Sequence, residues 1–404
     1  MKRNILTLIC AAASALSFAQ ISDSVTVGAG YANESYYNLE EGEVANVDNS
    51  NWDLAFDPSP FGSTIRVNRL DEVYVYPGSI EDFESLDTAG ITGWARMYNS
   101  DVYWSAGALN NAADPSDDVD LGWGEYNTTT HITEGSRIFV IKLSSGDYKK
   151  LFIDELASGE YDFYYNFLDN SDLQTHTITK ADYNEMNFVH FSMQTNVVIE
   201  REPTADSWDI VFTNYHSEVA PGAYYGVTGA LTNKYVEVLE VSETPTDEAT
   251  FDAPFSSEIN ILGYDWKSFN METYTYDIAE DLTYFIQANS GDVWKFIFTG
   301  FNGSSDGWIY FTKEKVSSVS VEEELSTTLN VYPNPVVNQF TVELNENVNT
   351  VKLMNTNGQI VYQNNSVNTN QLQIDASIYQ NGLYILQATT IEGFVINEKV
   401  LIAK

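Results

Sequence analysis

The chain has 404 residues, room for two or three domains, and with 43% hydrophobic and 14% aromatic residues it is not a wholesale disordered polymer. Nineteen Lys and Arg against 58 Asp and Glu give a formal charge of −39, which disfavours binding to nucleic-acid phosphates and electrostatic docking on anionic lipid. The single cysteine, Cys10, rules out a disulfide framework and a cysteine-based zinc site.

At the start, Lys2 and Arg3 precede an apolar run from Ile5 to Leu16, and Ser17-Phe18-Ala19 sets small residues at −3 and −1 of a cleavage site. Residues 1–19 are predicted to be a signal peptide, leaving Gln20 first. No later run approaches the length of a membrane span, so no transmembrane helix is expected.

The body repeats itself. Asn51-Trp-Asp-Leu-Ala-Phe56 returns as Ser207-Trp-Asp-Ile-Val-Phe212, and Phe139–Ile153 returns without a gap as Tyr284–Phe298. Ser-Gly-Asp coincides at 145–147 and 290–292, and Lys150 meets Lys295. Upstream, Tyr36-Tyr-Asn-Leu sits where Phe188-Val-His-Phe sits, before each Trp-Asp. Alternation places Trp52, Leu54 and Phe56, and likewise Trp208, Ile210 and Phe212, on one strand face. The intervening Asp53 and Asp209 should turn to a neighbouring strand's amides or a turn. Each Ser-Gly-Asp should close a hairpin, its glycine supplying a positive φ. The expected fold is all-β: two tandem antiparallel β-rich modules, 20–180 and 181–316, followed by a small C-terminal β-sandwich.

Two clusters inside the body could carry chemistry. Asp114, Asp117, Asp118 and Asp120 concentrate carboxylates of the kind that bind calcium, although Leu121 replaces the glycine an EF-hand loop needs. Trp94, Tyr98, Tyr103, Trp104 and Trp123 could stack on sugar faces or pack a core. No Gly-x-Ser-x-Gly, His-Glu-x-x-His or phosphate loop occurs, so catalysis has no motif behind it.

Residues 317–328 are polar and aperiodic, as a linker is. From Leu329 onward Leu-Asn-Val-Tyr-Pro-Asn-Pro, an Asn357-Gly358 hairpin signal, Asn381-Gly-Leu-Tyr-Ile and the closing Lys-Val-Leu-Ile-Ala-Lys follow one another. Residues 329–404 resemble a type A sorting domain of the type IX secretion system. That resemblance implies export across an outer membrane, engagement of the secretion machinery by 329–404, and a location outside the cell or on its surface. The body motifs, Tyr36-Tyr-Asn-Leu, Trp52–Phe56 and Thr64-Ile-Arg-Val-Asn68, are similar to the HmuY-like family of haem-binding surface proteins, although the second copy lacks an evident Ile-Arg-x-Asn. The resemblance implies haem held by axial His or Met ligands. The candidates here are His190, His216, Met97 and Met271, with His131 and His176 the remaining histidines. The expected function is a surface ligand-binding protein, for haem, a glycan or a protein. The alternatives are a secreted hydrolase acting on polysaccharide and a passive coat or adhesive protein.

Overall fold

The computed structural model describes residues 20–317 and 329–404, apart from 356–359, 366, 368 and 391–394. The expected signal peptide with Cys10, the linker beyond Ser317 and the Asn357-Gly358 turn lie outside the described residues. The described chain divides into two compact units, parted at 318/319.

The body opens with β1 (Ile21–Thr26), β2 (Asn33–Asn38) and β3 (Gly42–Asp48). Then come β4 (Leu54–Phe56), β5 (Ile65–Val67), β6 (Glu72–Val75), β7 (Arg96–Met97), β8 (Gly124–Tyr126) and β9 (Thr133–Gly135). They are followed by β10 (Ile138–Lys142), β11 (Tyr148–Ala157), β12 (Glu160–Phe167), β13 (Gln174–Thr179), β14 (Val189–Ser192) and β15 (Val197–Ile199). The last group is β16 (Ile210–Ala220), β17 (Ala223–Thr232), β18 (Glu237–Val241), β19 (Lys267–Asn270), β20 (Thr275–Ile278), β21 (Thr283–Gln287), β22 (Val293–Phe301) and β23 (Trp308–Ser317). All-β architecture with antiparallel sheets is thus what the chain adopts.

Four sheets make two sandwiches. In the first, the sheet β15-β14-β4-β5 faces the sheet β13-β12-β11-β10-β6-β7 over Leu54, Phe56, Phe139, Ile153, Phe163 and Phe191. In the second, β17-β16-β2-β3 faces β1-β23-β22-β21-β18 over Tyr37, Phe212, Trp266, Tyr284, Phe296 and Phe311. The sandwiches do not follow the expected boundary at 180/181. Strands β14 and β15, beyond that boundary, complete the sandwich built around Trp-Asp 52–53, while the N-terminal β1 to β3 complete the one built around Trp-Asp 208–209. Ile21 to Thr26 pair with Lys313 to Trp308, and Tyr37 and Tyr36 pair with Ile210 and Val211.

The duplication explains why. Each Trp-Asp strand needs a preceding-type strand beside it, and the pairing is the same in both copies: Phe191 opposite Leu54 and Tyr37 opposite Ile210. The aspartates lock it. Asp53 N–H donates to the Phe191 carbonyl at 2.9 Å and its Oδ2 accepts the Met193 amide at 2.6 Å. Asp209 N–H donates to the Tyr37 carbonyl at 2.8 Å, and its carboxylate accepts the amides of Leu39 at 2.8 Å and Asn289 at 3.0 Å. Lysines donate to the carbonyls of the residues whose amides the aspartates accept, Lys149 to Met193 O at 2.5 Å and Lys313 to Leu39 O at 2.7 Å. The missing motif of the second copy is Ala230-Leu231-Thr232-Asn233. Asn233 Nδ2 bonds Ala205 O and Trp208 O at 2.6 and 2.7 Å, as Asn68 bonds Asn49 O and Trp52 O at 2.8 and 2.9 Å.

Both Ser-Gly-Asp turns form, with Gly146 at φ 93° and Gly291 at φ 85°, conformations that favour glycine. One expectation fails. Leu54 and Phe56 face the first core, yet Trp52 packs with Ala55 on the other side, as Trp208 does with Val211. The strands begin only at Leu54 and Ile210, so the tryptophans precede the ladder and escape its two-residue alternation.

The tail comprises β24 (Leu329–Tyr332), β25 (Gln339–Asn355), β26 (Ile360–Asn364), β27 (Thr369–Asp375), β28 (Gly382–Thr390) and β29 (Val395–Ile402). The 17-residue β25 pairs with β24 and β27 through its first half and with β26 and β28 through its second. One strand thereby serves two layers, closed over Phe340, Val342, Leu353, Leu386 and Val400.

Two outcomes follow from this closure. Asp209→Ala strands the buried Leu39 amide, at about 1–3 kcal/mol, and the part-buried Asn289 amide, at the low end of that range, so urea unfolding should show a loss of about 2–4 kcal/mol. A chain lacking residues 20–48 should expose the Phe212 side of the second sandwich and bind a hydrophobic dye, and a synthetic 20–48 peptide should suppress that binding.

Candidate functional site

The two displaced tryptophans meet where the sandwiches abut. Trp52 and Trp208 both line a cavity of about 80 Å³, together with Tyr36 and His190. Tyr36 and His190 are themselves equivalent, lying opposite Val211 and Ala55 in matching registers. The seam is therefore built from the corresponding faces of two copies, each turning outward the side that alternation leaves away from its own core.

Divergence between the copies gives the seam its polarity. Trp52 Nε1 donates to Asn49 Oδ1 at 2.8 Å, and the His190 ring lies edge-on to the Trp52 ring at 4.7 Å. Trp208 Nε1, by contrast, is buried without a hydrogen-bond partner, as are Asn214 Oδ1 and the Tyr215 hydroxyl, and all three residues line the cavity. Arg66 enters from β5, where the second copy has Leu231. It donates to the carbonyls of Ser100, Tyr103 and Trp104 at 2.9, 3.3 and 3.2 Å, with its guanidinium 4.8 Å from the Trp104 ring centre. The 98–104 segment is in turn tied to the second sandwich. Trp104 Nε1 bonds Thr232 O at 2.8 Å, Ile259 N–H bonds Val102 O at 3.0 Å, and Tyr98 stacks on Tyr224 at 3.9 Å.

Besides Arg66 and Arg69, which line the cavity, the seam holds one buried ion pair. Glu34 Oε2 meets Arg201 Nη1 at 2.7 Å, with both residues buried, and Thr213 donates to Glu34 Oε1 at 2.7 Å. Burial works against the Arg201 charge, but Glu34 holds its pKa above the ordinary value. Burial pushes Glu202 up to about 8 although the Asn187 and Phe188 amides donate to it at 3.2 and 3.1 Å, so at neutral pH it is mainly the uncharged acid. Burial, reinforced by Arg201, drives His190 well below its ordinary range and keeps it neutral. Burial lowers Arg66 to about 10, where it still carries its proton at neutral pH.

The haem-ligand candidates are scattered, and of the four only His190 lines this cavity. His216 lies on β16 with its ring edge-on to Tyr98, lowered to about 4 by burial and by Arg69 and Arg96. Met97 is half-buried against the first core, and Met271 is 72% exposed between β19 and β20. His176 stacks on Phe163, and His131 is exposed and bonded to the Tyr126 hydroxyl at 2.6 Å. The geometry does not bring together the opposed ligand pair that a haem iron needs.

The aspartate cluster is likewise engaged elsewhere. Asp120 grips Arg137 through both oxygens at 2.8 and 2.6 Å and also accepts the Asp114 and Gly122 amides. Asp114 and Asp117 cap the amides of Ser116 and Val119, and Asp118 is exposed. Among the described residues no group of three or more His, Cys, Asp or Glu side chains could hold a metal ion. The segment carrying Asp114, Asp117, Asp118 and Asp120 thus folds as a turn centred on the Asp120–Arg137 pair.

Of the five aromatics that could stack on sugars or pack a core, Trp123 is fully buried, Trp94 packs edge-on to Tyr76 at 5.3 Å, and Tyr98 and Trp104 cross the seam. Tyr103 is half exposed, its hydroxyl 3.3 Å from Glu258. Sequence reading missed Glu34, Arg201, Glu202 and Asn214. The one available signal was polar Thr213-Asn214 directly after the apolar Ile210–Phe212; both prove buried.

Comparison with known proteins places the tail. Residues 330–403 match the family model of the secretion system C-terminal sorting domain. Among solved structures, PorZ, an essential surface component of the type IX secretion system of Porphyromonas gingivalis, is similar at 12% identity over 69% of this chain, with a TM-score of 0.18. The chain spans 41% of that protein's length. A putative lipoprotein from Bacteroides fragilis is similar at 12% identity over 49% of this chain and 97% of its own, with a TM-score of 0.19. No curated protein matches. No helix among the described residues is long and apolar enough to cross a membrane. The chain carries a type IX C-terminal sorting domain in residues 330–403, and it is a secreted or outer-cell-surface protein.

Proposed function

We propose that residues 20–317 form a non-catalytic binding body, presented outside the cell by the sorting domain, with the seam between the two sandwiches as its ligand site. The observation that carries this reading is the coincidence of three unpartnered buried polar groups, on Trp208, Asn214 and Tyr215, with one aromatic-walled cavity. Buried polar atoms are ordinarily paired, so three unpaired ones on the residues of one cavity support a site that is incomplete by itself.

The chemistry of the wall favours binding over catalysis. A hydrolase needs a free carboxylate pair, but Glu34 is held by Arg201 and Thr213, and Glu202 by two backbone amides. Haem has weaker support, because His190 has no second ligand facing it across the cavity and a volume of about 80 Å³ holds only a small molecule.

The test is a small-molecule screen on the full chain read by thermal shift. At least one compound should raise the melting temperature by several degrees, as saturating ligand does. Ala55→Leu, which narrows the cavity, should abolish that shift. Haemin should give no sharp Soret band. A screen without hits, or hits indifferent to Ala55→Leu, would overturn the assignment of the seam.

A further inference from the structure

We infer that the seam cavity binds a small carboxylate, the anion of an organic acid of a few carbons, through the Arg66 and Arg69 guanidiniums; this rests on the seam being the binding site proposed above. With 19 Lys and Arg against 58 Asp and Glu, a cation that lacks a carboxylate partner stands out in this chain. Both arginines line the cavity, and among the described residues neither meets a carboxylate at ion-pair distance. Arg66 is 7% exposed, and its hydrogen bonds go to the carbonyls of Ser100, Tyr103 and Trp104, which carry no countercharge. Arg69 is half-buried and makes no hydrogen bond among the described residues. Its side chain reaches β17, where a Cβ on Gly226 would stand 3.0 Å from Nη1.

The duplication supplies the comparison. Val67 pairs with Leu54 as Thr232 pairs with Ile210, so Arg66-Val67-Asn68-Arg69 corresponds to Leu231-Thr232-Asn233-Lys234. The second copy has an apolar residue at the first position and a partnered cation at the last, Lys234 Nζ lying 3.6 Å from Asp57 Oδ1. Only the first copy turns two uncompensated guanidiniums to the cavity. The carboxyl groups of the wall do not answer them. Glu34 is held by Arg201 and Thr213, and Glu202 takes two backbone amides and is mainly protonated at neutral pH. Asp101 and Glu34 act on Arg66 only from beyond ion-pair distance.

Buried charges are ordinarily paired, so the molecule that completes this wall brings a negative charge. An ammonium would add to the positive charge, and a neutral molecule would leave it uncompensated. A guanidinium fork matches the two oxygens of a carboxylate. Much of the remaining wall is apolar, with Ala55, Val67, Leu231 and the rings of Trp52 and Trp104. That surface suits the hydrocarbon end of an organic acid, whereas inorganic phosphate has no apolar face to bury. A volume of about 80 Å³ keeps the acid to a few carbons.

The experiment is calorimetric titration of the full chain, in a buffer free of carboxylate and phosphate, with acetate, propionate, propionamide, ethylammonium and inorganic phosphate. Acetate or propionate should bind at one per chain, and propionamide, the uncharged analogue of propionate, at least tenfold more weakly. Arg69→Gln should weaken carboxylate binding fivefold or more, and Ala55→Leu should abolish it. Because the Arg69 side chain has no protein partner, Arg69→Gln should not lower the melting temperature of the free protein, which separates lost binding from lost folding. Phosphate, propionamide or ethylammonium binding instead, sensitive to Ala55→Leu, would overturn the carboxylate and leave the seam as the site. Carboxylate binding indifferent to both changes would overturn the seam as its site. Failure of all five probes would overturn the inference alone if the thermal screen yields a compound sensitive to Ala55→Leu, and the seam with it if the screen is empty.

Discussion

The carboxylate of Asp209, buried beneath the second sandwich, joins the chain's N-terminal strands to a part of the sequence some 170 residues away. It accepts the Leu39 amide while its own N–H bonds Tyr37, which fixes β2 against β16 and sets the register of β1 against β23. Asp53 does the same for β14 and β4. With both locks closed, the second sandwich holds β1 to β3 from the start of the chain and the first holds β14 and β15 from beyond residue 181. Separating the two would mean unpairing two sheets as well as parting one interface, so the seam has a fixed geometry. Without that rigidity, three unpaired polar groups could rotate to solvent and no cavity would persist.

Much of this was legible in the sequence. The alternation around Leu54–Phe56 and Ile210–Phe212, the Ser-Gly-Asp turns and the bonding of both aspartates to neighbouring amides follow from local rules that act over a few residues. The division into modules was not legible, because duplication makes β1–β3 and β13–β15 interchangeable partners for either Trp-Asp strand. Sequence similarity cannot say which copy each will pair with; only three-dimensional closure does. The tryptophans misled for a related reason. Period-two reasoning holds inside a ladder, and Trp52 and Trp208 stand just before theirs.

The candidate site was the least visible part. Histidine, methionine and aspartate attract attention as ligands, yet here His176 and His216 pack on rings, Met97 packs on a core, Met271 is exposed and Asp120 holds Arg137. The groups that make the seam are Trp208, Asn214 and Tyr215, residues common in any β protein, and their significance comes only from what does not bond to them. Duplication followed by divergence accounts for the asymmetry: Trp52 keeps Asn49 as a partner, whereas Trp208 has none. The sorting domain, by contrast, declares itself in its own motifs, because a recognition element must be read by other machinery. The sorting domain and the body fall in separate compact units.

Closure of the second sandwich by the N-terminal strands is the claim on which the seam depends, and native-state hydrogen exchange of the full chain tests it most directly. Amides of β1 and β2 should be protected to the same extent as those of β16 and β23, and should lose protection together at the same denaturant concentration. Free exchange of residues 21–38, as from an unpaired terminus, while β16 and β23 stay protected, would contradict the account.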